Sequence, residues 1–205
     1  MKVKQFKNNV LSSNSYILYL EEDNGVWVID PGDSGPLIGW IKSNNKTLSG
    51  ILLTHSHADH TYGIKDMIKD FPKTKKYSSF LSIETFKSER LNGSLYLEMP
   101  FTIDSEDFIF ISEGDEVRLW ADFSLKVLET PGHNNDCLSF AMGSLLFTGD
   151  ALIPGKKVHT RSKFGNKNVA ESTIDRIIST FSSDTFIYPG HGDICTLLEC
   201  SRGLK

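Results

Sequence analysis

Residues 55–60 read His-Ser-His-Ala-Asp-His. His55 and His57 are two apart on a turn that leaves an apolar run (GILLT, 50–54), so both imidazoles can point at one spot. Asp59 and His60 follow at once and, on a tight loop, can point at a neighbouring spot. Three other segments repeat one pattern: a β-rich run, a short turn, then a ligand-type residue. They are LETPGH ending at His133, LLFTGD ending at Asp150 and FIYPGH ending at His191. A rigid strand is a good anchor for a loop side chain that must stay in place. Gly132, Gly149 and Gly190 directly precede the three residues and are expected to permit unusual backbone angles there. A lone loop histidine is usually a surface residue. Five of the six histidines in such contexts form a metal site instead. His159, in GKKVHTR, lacks the context and reads as a solvated or substrate-side residue.

Imidazoles and carboxylates without thiolates suit zinc, with iron or manganese as alternatives. Seven ligands exceed what one tetrahedral zinc can use. Two metals sharing a bridging carboxylate and a bridging hydroxide use them well. Two nearby cations lower the pKa of a trapped water, and one of them can polarise a carbonyl. The chemistry expected is hydrolysis of an acyl compound.

The elements that must hold these residues alternate along the chain. Ser15–Leu20 and Val26–Asp30 read as strands around a polar turn, Glu21–Gly25. The loop Asp30–Asp33 (DPGD) breaks the run. Leu37, Ile38 and Ile41 predict a helix over Ser34–Asn44, and a second helix is expected over Tyr62–Phe71, stopped by Pro72. Ser78–Ser112 reads as an irregular surface excursion with a helical stretch, Ile83–Leu91, ended by Asn92-Gly93. Strands are expected at Val117–Trp120, Leu125–Thr130, Leu138–Met142, Leu145–Thr148 and Thr185–Tyr188, with a helix over Val169–Phe181. No repeat, linker or low-complexity tract interrupts residues 1–205, so one domain is expected. Strands in two groups, each followed by helices, predict a two-layered sheet core with helices outside.

Composition narrows the function. The chain has 205 residues, 39% hydrophobic and 23% charged, with net charge −4. A mildly acidic chain does not advertise phosphate-backbone binding, so no nucleic-acid partner is expected. Cys137, Cys195 and Cys200 are odd in number and not in CxxC spacing, which fits a reducing cytoplasm better than a disulfide framework. The start, MKVKQFKNNVLSSNSYILYL, lacks the apolar segment of a signal peptide, and no later run is long enough for a membrane.

The motifs now on the page resemble the metallo-β-lactamase superfamily, and within it the small glyoxalase II-type enzymes (hydroxyacylglutathione hydrolases). The likeness covers almost the whole chain. It includes NSYILYL and VWVIDPGD, THSHADHTYG at 54–63, LNGSLYLEMPF at 91–101, TPGH at 130–133, LLFTGDAL at 145–152 and YPGHGDICTLLE at 188–199. It implies an α+β fold, an αββα four-layer sandwich. It implies one metal held by His55, His57 and His133 and a second by Asp59, His60 and His191, with Asp150 bridging them. The chain departs from the family after His133, where Asn134-Asn135-Asp136-Cys137 stand in place of Thr or Ser, a residue, then Gly. Only fourteen residues follow His191, so the C-terminal helical glutathione-binding region of larger glyoxalase II enzymes is not expected. Zinc β-lactamases commonly carry Cys where Asp150 stands.

The resemblance implies a dinuclear zinc hydrolase cleaving a small thioester or related acyl ester through attack of a metal-bridging hydroxide, with Asp59 orienting it. A lactone would serve the same site. A mononuclear iron enzyme acting on persulfides is a second reading, and the ligand set Asp59, His60 and His191 argues against it. A binding module without turnover, and a phosphodiesterase or nuclease, are weaker alternatives. Lys156, Lys157, Arg161, Lys163 and Lys167 form a basic stretch with no acidic residue among them. A solvated loop is the default reading of this stretch. The functional reading is that one or two of these residues bind a substrate carboxylate or phosphate, and the resemblance to short related enzymes, which often have Arg at about this place, makes Arg161 the candidate. Cys137 is expected to be a buried small hydrophobe, and Tyr62 and Asn92 are candidate mouth residues.

Overall fold

The computed structural model describes residues 1–202. These form two compact units, one of Met1–Ser78 with Ser82–Phe110, the other of Ser79–Leu81 with the chain from Ile111 onward. Each unit is built on one six-stranded mixed sheet.

In the first unit the strands are β1 (Lys2–Lys7), β2 (Asn14–Tyr19), β3 (Gly25–Ile29), β4 (Thr47–Leu52), β5 (Lys75–Ser78) and β6 (Phe108–Phe110), hydrogen-bonded in chain order. β1, β2 and β3 are antiparallel neighbours; β3, β4, β5 and β6 run parallel. A parallel step needs a crossover. α1 (Ser34–Ser43) provides the one from β3 to β4, and α2 (Ala58–Thr61) with α3 (Ile64–Asp70) the one from β4 to β5. Leu37 and Ile41, one helical turn apart, are wholly buried with Ile17, Val28, Ile51, Met67 and Phe86. Each such side chain contributes about 1.5–3 kcal/mol by leaving water.

The helix expected over Tyr62–Phe71 is α3, and a separate four-residue helix, α2, precedes it. Gly63 separates them, and its N–H donates to the Pro31 carbonyl (3.0 Å) instead of continuing α2. A Cβ at Gly63 would overlap the Gly32 carbonyl oxygen, so this approach is open to glycine alone. The segment after β5 is more ordered than expected. It holds α4 (Ser82–Phe86), shorter than the helix read over 83–91, then a 3-10 turn (Ser94–Tyr96), and ends in β6.

In the second unit the sheet order is β12-β11-β10-β9-β8-β7, from β7 (Glu116–Trp120), β8 (Phe123–Glu129), β9 (Leu138–Met142), β10 (Leu145–Gly149), β11 (Phe186–Pro189) and β12 (Cys195–Thr196). All neighbours are antiparallel except β10 and β11. α5 (Lys167–Thr180) makes that one parallel crossover, with the Asn166 side chain capping the Val169 N–H. It lays Ile177 into a cluster with Leu128, Leu146, Leu152 and Ile187, which α6 (Leu197–Arg202) extends with Leu197 and Cys200. Cys137 is buried, as expected. No helix among the described residues is long and apolar enough to cross a membrane.

Candidate metal centre

Sheet direction explains where the ligand-type residues emerge. β3 and β4 are parallel neighbours that end side by side, Ile29 opposite Leu52. Asp30 and the run from Thr54 to His60 therefore leave the same end of the first sheet, the usual place for a site in parallel strands. In the second unit β8 and β10 are both antiparallel to β9, and β11 is parallel to β10. β8, β10 and β11 thus run one way, and His133, Asp150 and His191 follow their ends at one rim of the second sheet.

In the first unit the His55 ring lies 4.8 Å from His57 and 4.3 Å from His60, centroid to centroid. His55, Asp59 and His60 are buried. The His60 Nε2 is 3.3 Å from an Asp59 carboxylate oxygen. Its other ring nitrogen, Nδ1, is 3.0 Å from Asp30 Oδ2. Asp30 is buried and in the left-handed region, φ 53°. Its carboxylate also accepts the Thr54 N–H (2.7 Å) and hydroxyl (2.5 Å). Asp30, His55 and His60 could themselves group about an ion. With three donors already on it, the Asp30 carboxylate is better understood as the group that turns His60. Thr54 Oγ1 lies 3.1 Å from His55 Nδ1 as well.

In the second unit one oxygen of Asp150, Oδ2, lies 3.6 Å from His133 Nε2 and 3.4 Å from His191 Nε2. His133 Nδ1 is 2.7 Å from the His159 carbonyl oxygen, which can only accept. The proton of a neutral His133 is therefore on Nδ1, and the Nε2 lone pair faces Asp150. An imidazole lone pair turned towards a carboxylate is repulsive unless a cation lies between. The pattern of Nε2 towards a carboxylate, and Nδ1 towards an outer acceptor, is how proteins present histidine to a metal. The donor set therefore fits zinc, iron or manganese.

The turns before these residues differ from one another. Gly132 (φ 136°) and Gly149 (φ 49°) have the positive angles expected. Gly132 also lies so close to α5 that a Cβ would overlap Ala170. Gly190 has no positive φ; the left-handed residue there is Gly192, after the histidine. Instead the Gly190 N–H donates to the Gly149 carbonyl (2.8 Å), tying together the two parallel strand ends.

Both candidate mouth residues are tied into the first unit by hydrogen bonds. Tyr62 is half-buried, and its hydroxyl donates to Asp33 Oδ1 at 2.5 Å; burial and then Asp33 raise its pKa well above the usual phenol value. Asn92 is buried. Its carbonyl accepts the Ala58 N–H (2.7 Å), and its side chain bonds the Phe101 carbonyl and the Ser94 N–H. Both hold the chain in place. Arg161 is exposed, within a loop fastened to His133 twice, through the His159 carbonyl and through the Ser162 hydroxyl on the His133 carbonyl (3.2 Å). His159 is exposed and meets His133 twice, through its backbone carbonyl and through its ring, whose centroid lies 6.2 Å from that of His133 in an edge-on contact.

Asp30 and the His159 carbonyl are contributions the sequence analysis missed. For Asp30 a signal exists: a carboxylate placed directly after the fully apolar run VWVI. Asp30→Asn keeps the shape but replaces one acceptor oxygen by a donor. If His60 is a ligand, a roughly 10–100-fold loss of metal affinity is expected, measured by competition with a coloured chelator. Wild-type affinity would show that Asp30 serves folding only.

Each unit is thus a mixed sheet with flanking helices that gathers histidine and aspartate side chains, residues able to hold a metal ion, past its strand ends. The sequence profile of the metallo-beta-lactamase superfamily matches residues 8–191, and the chain belongs to that superfamily, with its α+β fold. Among relatives, a hydroxyacylglutathione hydrolase of Hahella chejuensis is 32% identical over 184 residues, covering 87% of this chain and 62% of that one. This chain thus spans about three-fifths of that relative's length. A probable metallo-hydrolase of Streptococcus pyogenes serotype M6 is 30% identical over 213 residues, covering 96% and 86%. Among solved structures, the BLEG-1 B3 metallo-beta-lactamase superposes with TM-score 0.88 at 27% identity, covering 97% of this chain and 95% of the other.

Proposed function

We propose that this chain is a dinuclear zinc hydrolase of a small thioester or related acyl ester. In this reading His55, His57 and His133 hold one metal, Asp59, His60 and His191 hold the second, and Asp150 bridges them. The observation that carries it is the single Asp150 oxygen, 3.6 and 3.4 Å from the Nε2 atoms of His133 and His191. One carboxylate facing two imidazole nitrogens is what a bridge between two cations requires. The thioester finds support in the hydroxyacylglutathione hydrolases among the relatives.

When bound, two divalent cations would acidify a water between them and polarise the substrate carbonyl. The remaining work falls to the chain. Asp59 accepts a hydrogen bond from the attacking water and aims its lone pair at the carbonyl carbon. Asp30 and the His159 carbonyl keep the His60 and His133 rings turned towards the centre. Arg161 pairs with a carboxylate or phosphate of the substrate, aided by the exposed Lys156, Lys157 and Lys163 on the same loop. A small-molecule substrate, a cytoplasmic setting and a single working domain complete the reading.

The test is a hydrolysis screen of the zinc-loaded protein against thioesters, lactones and phosphodiesters, with metal counted on the same anaerobically purified sample. About two metals per chain and turnover of a thioester are expected. One iron per chain with persulfide oxidation would replace this reading, and preferred lactone cleavage would change the substrate.

A further inference from the structure

Between β1 and β2 the chain runs Asn8-Asn9-Val10-Leu11-Ser12-Ser13, and its backbone is unusual. Leu11 and Ser12 are both left-handed, φ 52° and 55°. Non-glycine residues adopt that conformation at a cost, and two in succession persist only where the surroundings over-determine them. Leu11 is 75% exposed, so its side chain does little to offset the strain. The buried Asn8 does more. Its amide donates to the Ser13 and Ser15 hydroxyls (3.0 Å each), and its carbonyl oxygen accepts the Asp33 N–H (2.9 Å). The Asn8 N–H donates to the Ser13 carbonyl (2.8 Å), closing the turn. Gly32 is packed so closely that a Cβ there would overlap the Asn8 side chain.

What this turn delivers is Ser13, wholly buried, whose hydroxyl donates to the Asp59 backbone carbonyl at 2.6 Å. The bond answers a need created elsewhere. In a continuous helix the Asp59 carbonyl would accept the N–H of residue 63. The Gly63 N–H is turned instead to Pro31, which ends α2 after four residues. Ser13 takes the vacated place, with its own oxygen accepting from Asn8.

We propose that Ser13 is a positioning residue for Asp59, and that the strained turn before it serves to set the Asp59 carboxylate. This rests on the reading of Asp59 as a metal ligand and orienting carboxylate. Ser13 acts through the backbone, since a shift of the α2 start would carry the carboxylate away from its working position.

The experiment compares Ser13→Ala with Ser82→Ala in the full chain. Ser82 makes a buried hydroxyl–hydroxyl bond with Ser78 (2.8 Å) and serves as a control for simple loss of such a bond. Both variants are expected to lose similar thermal stability. Ser13→Ala alone is expected to lose roughly tenfold or more in kcat per metallated site with KM nearly unchanged, and to bind Zn2+ about tenfold more weakly in a chelator titration. Ser13→Cys, close in volume with a weak donor, should fall between, and it carries the test if Ser13→Ala does not fold. Wild-type kcat and zinc affinity in the Ser13 variants, or equal losses in Ser82→Ala, would overturn the proposal. If Asp59→Asn turns over at the wild-type rate, the catalytic reading of Asp59 fails by itself, and the zinc titration still decides whether Ser13 positions a ligand.

Discussion

Asp150→Ala is expected to empty both metal positions together and to abolish hydrolysis. Its Oδ2 lies within 3.6 Å of the Nε2 atoms of both His133 and His191, the position a bridging carboxylate would hold. Removing it takes away the carboxylate that both rings face and the negative charge that would offset the cations. The loss should exceed the roughly 10–100-fold typical of outer-shell changes, because the proposed bridging ligand itself is lost. Asp150→Asn separates charge from shape: it should retain the fold and still bind metal poorly. His191→Ala should weaken mainly one of the two metals. Metal content measured by mass spectrometry beside the hydrolysis rate checks all three. An Asp150→Ala protein with wild-type metal and wild-type rate would end the bridging assignment.

Asp59→Asn should damage turnover more than folding. The Asp59 side chain is nearly buried against His60 Nε2, so an amide of the same shape keeps most of the packing. It loses the charge and one acceptor. Removing a group that works mainly in the transition state lowers kcat and kcat/KM together. The expected loss is about a hundredfold or more, as for other positioned proton-handling groups. Lower occupancy of one metal could mimic it, so the deciding number is the rate per fully metallated site. If that rate equals wild type, Asp59 is only a ligand and another group must orient the water.

The candidate ligands were legible in the sequence because their signal is local. HSHADH packs four donor residues into six positions, and each of His133, Asp150 and His191 follows its own apolar strand by a short glycine turn. Helices α1 and α5 were legible for the same kind of reason, since Leu37 with Ile41 and Ile174 with Ile177 share faces. The edge strands β1 and β6 escaped. β1 is lysine-rich and only half covered, a pattern that protects an edge from pairing with another chain, and β6 is three residues long. The break between α2 and α3 escaped too, because it depends on the approach of Gly63 to Pro31 and Gly32, far apart in the chain.

The sequence by itself therefore determined the family, the donor types and the loops that carry them. Only the tertiary structure decided what aims them. Asp30 turns His60 from 30 residues away, the His159 carbonyl sets the His133 tautomer from 26, and Ser13 holds the Asp59 carbonyl from 46. A ligand's identity is a property of one residue and its turn, so a linear pattern can hold it. A ligand's orientation is set by hydrogen bonds between segments that the sheets bring together, and those partners have no fixed spacing in the chain.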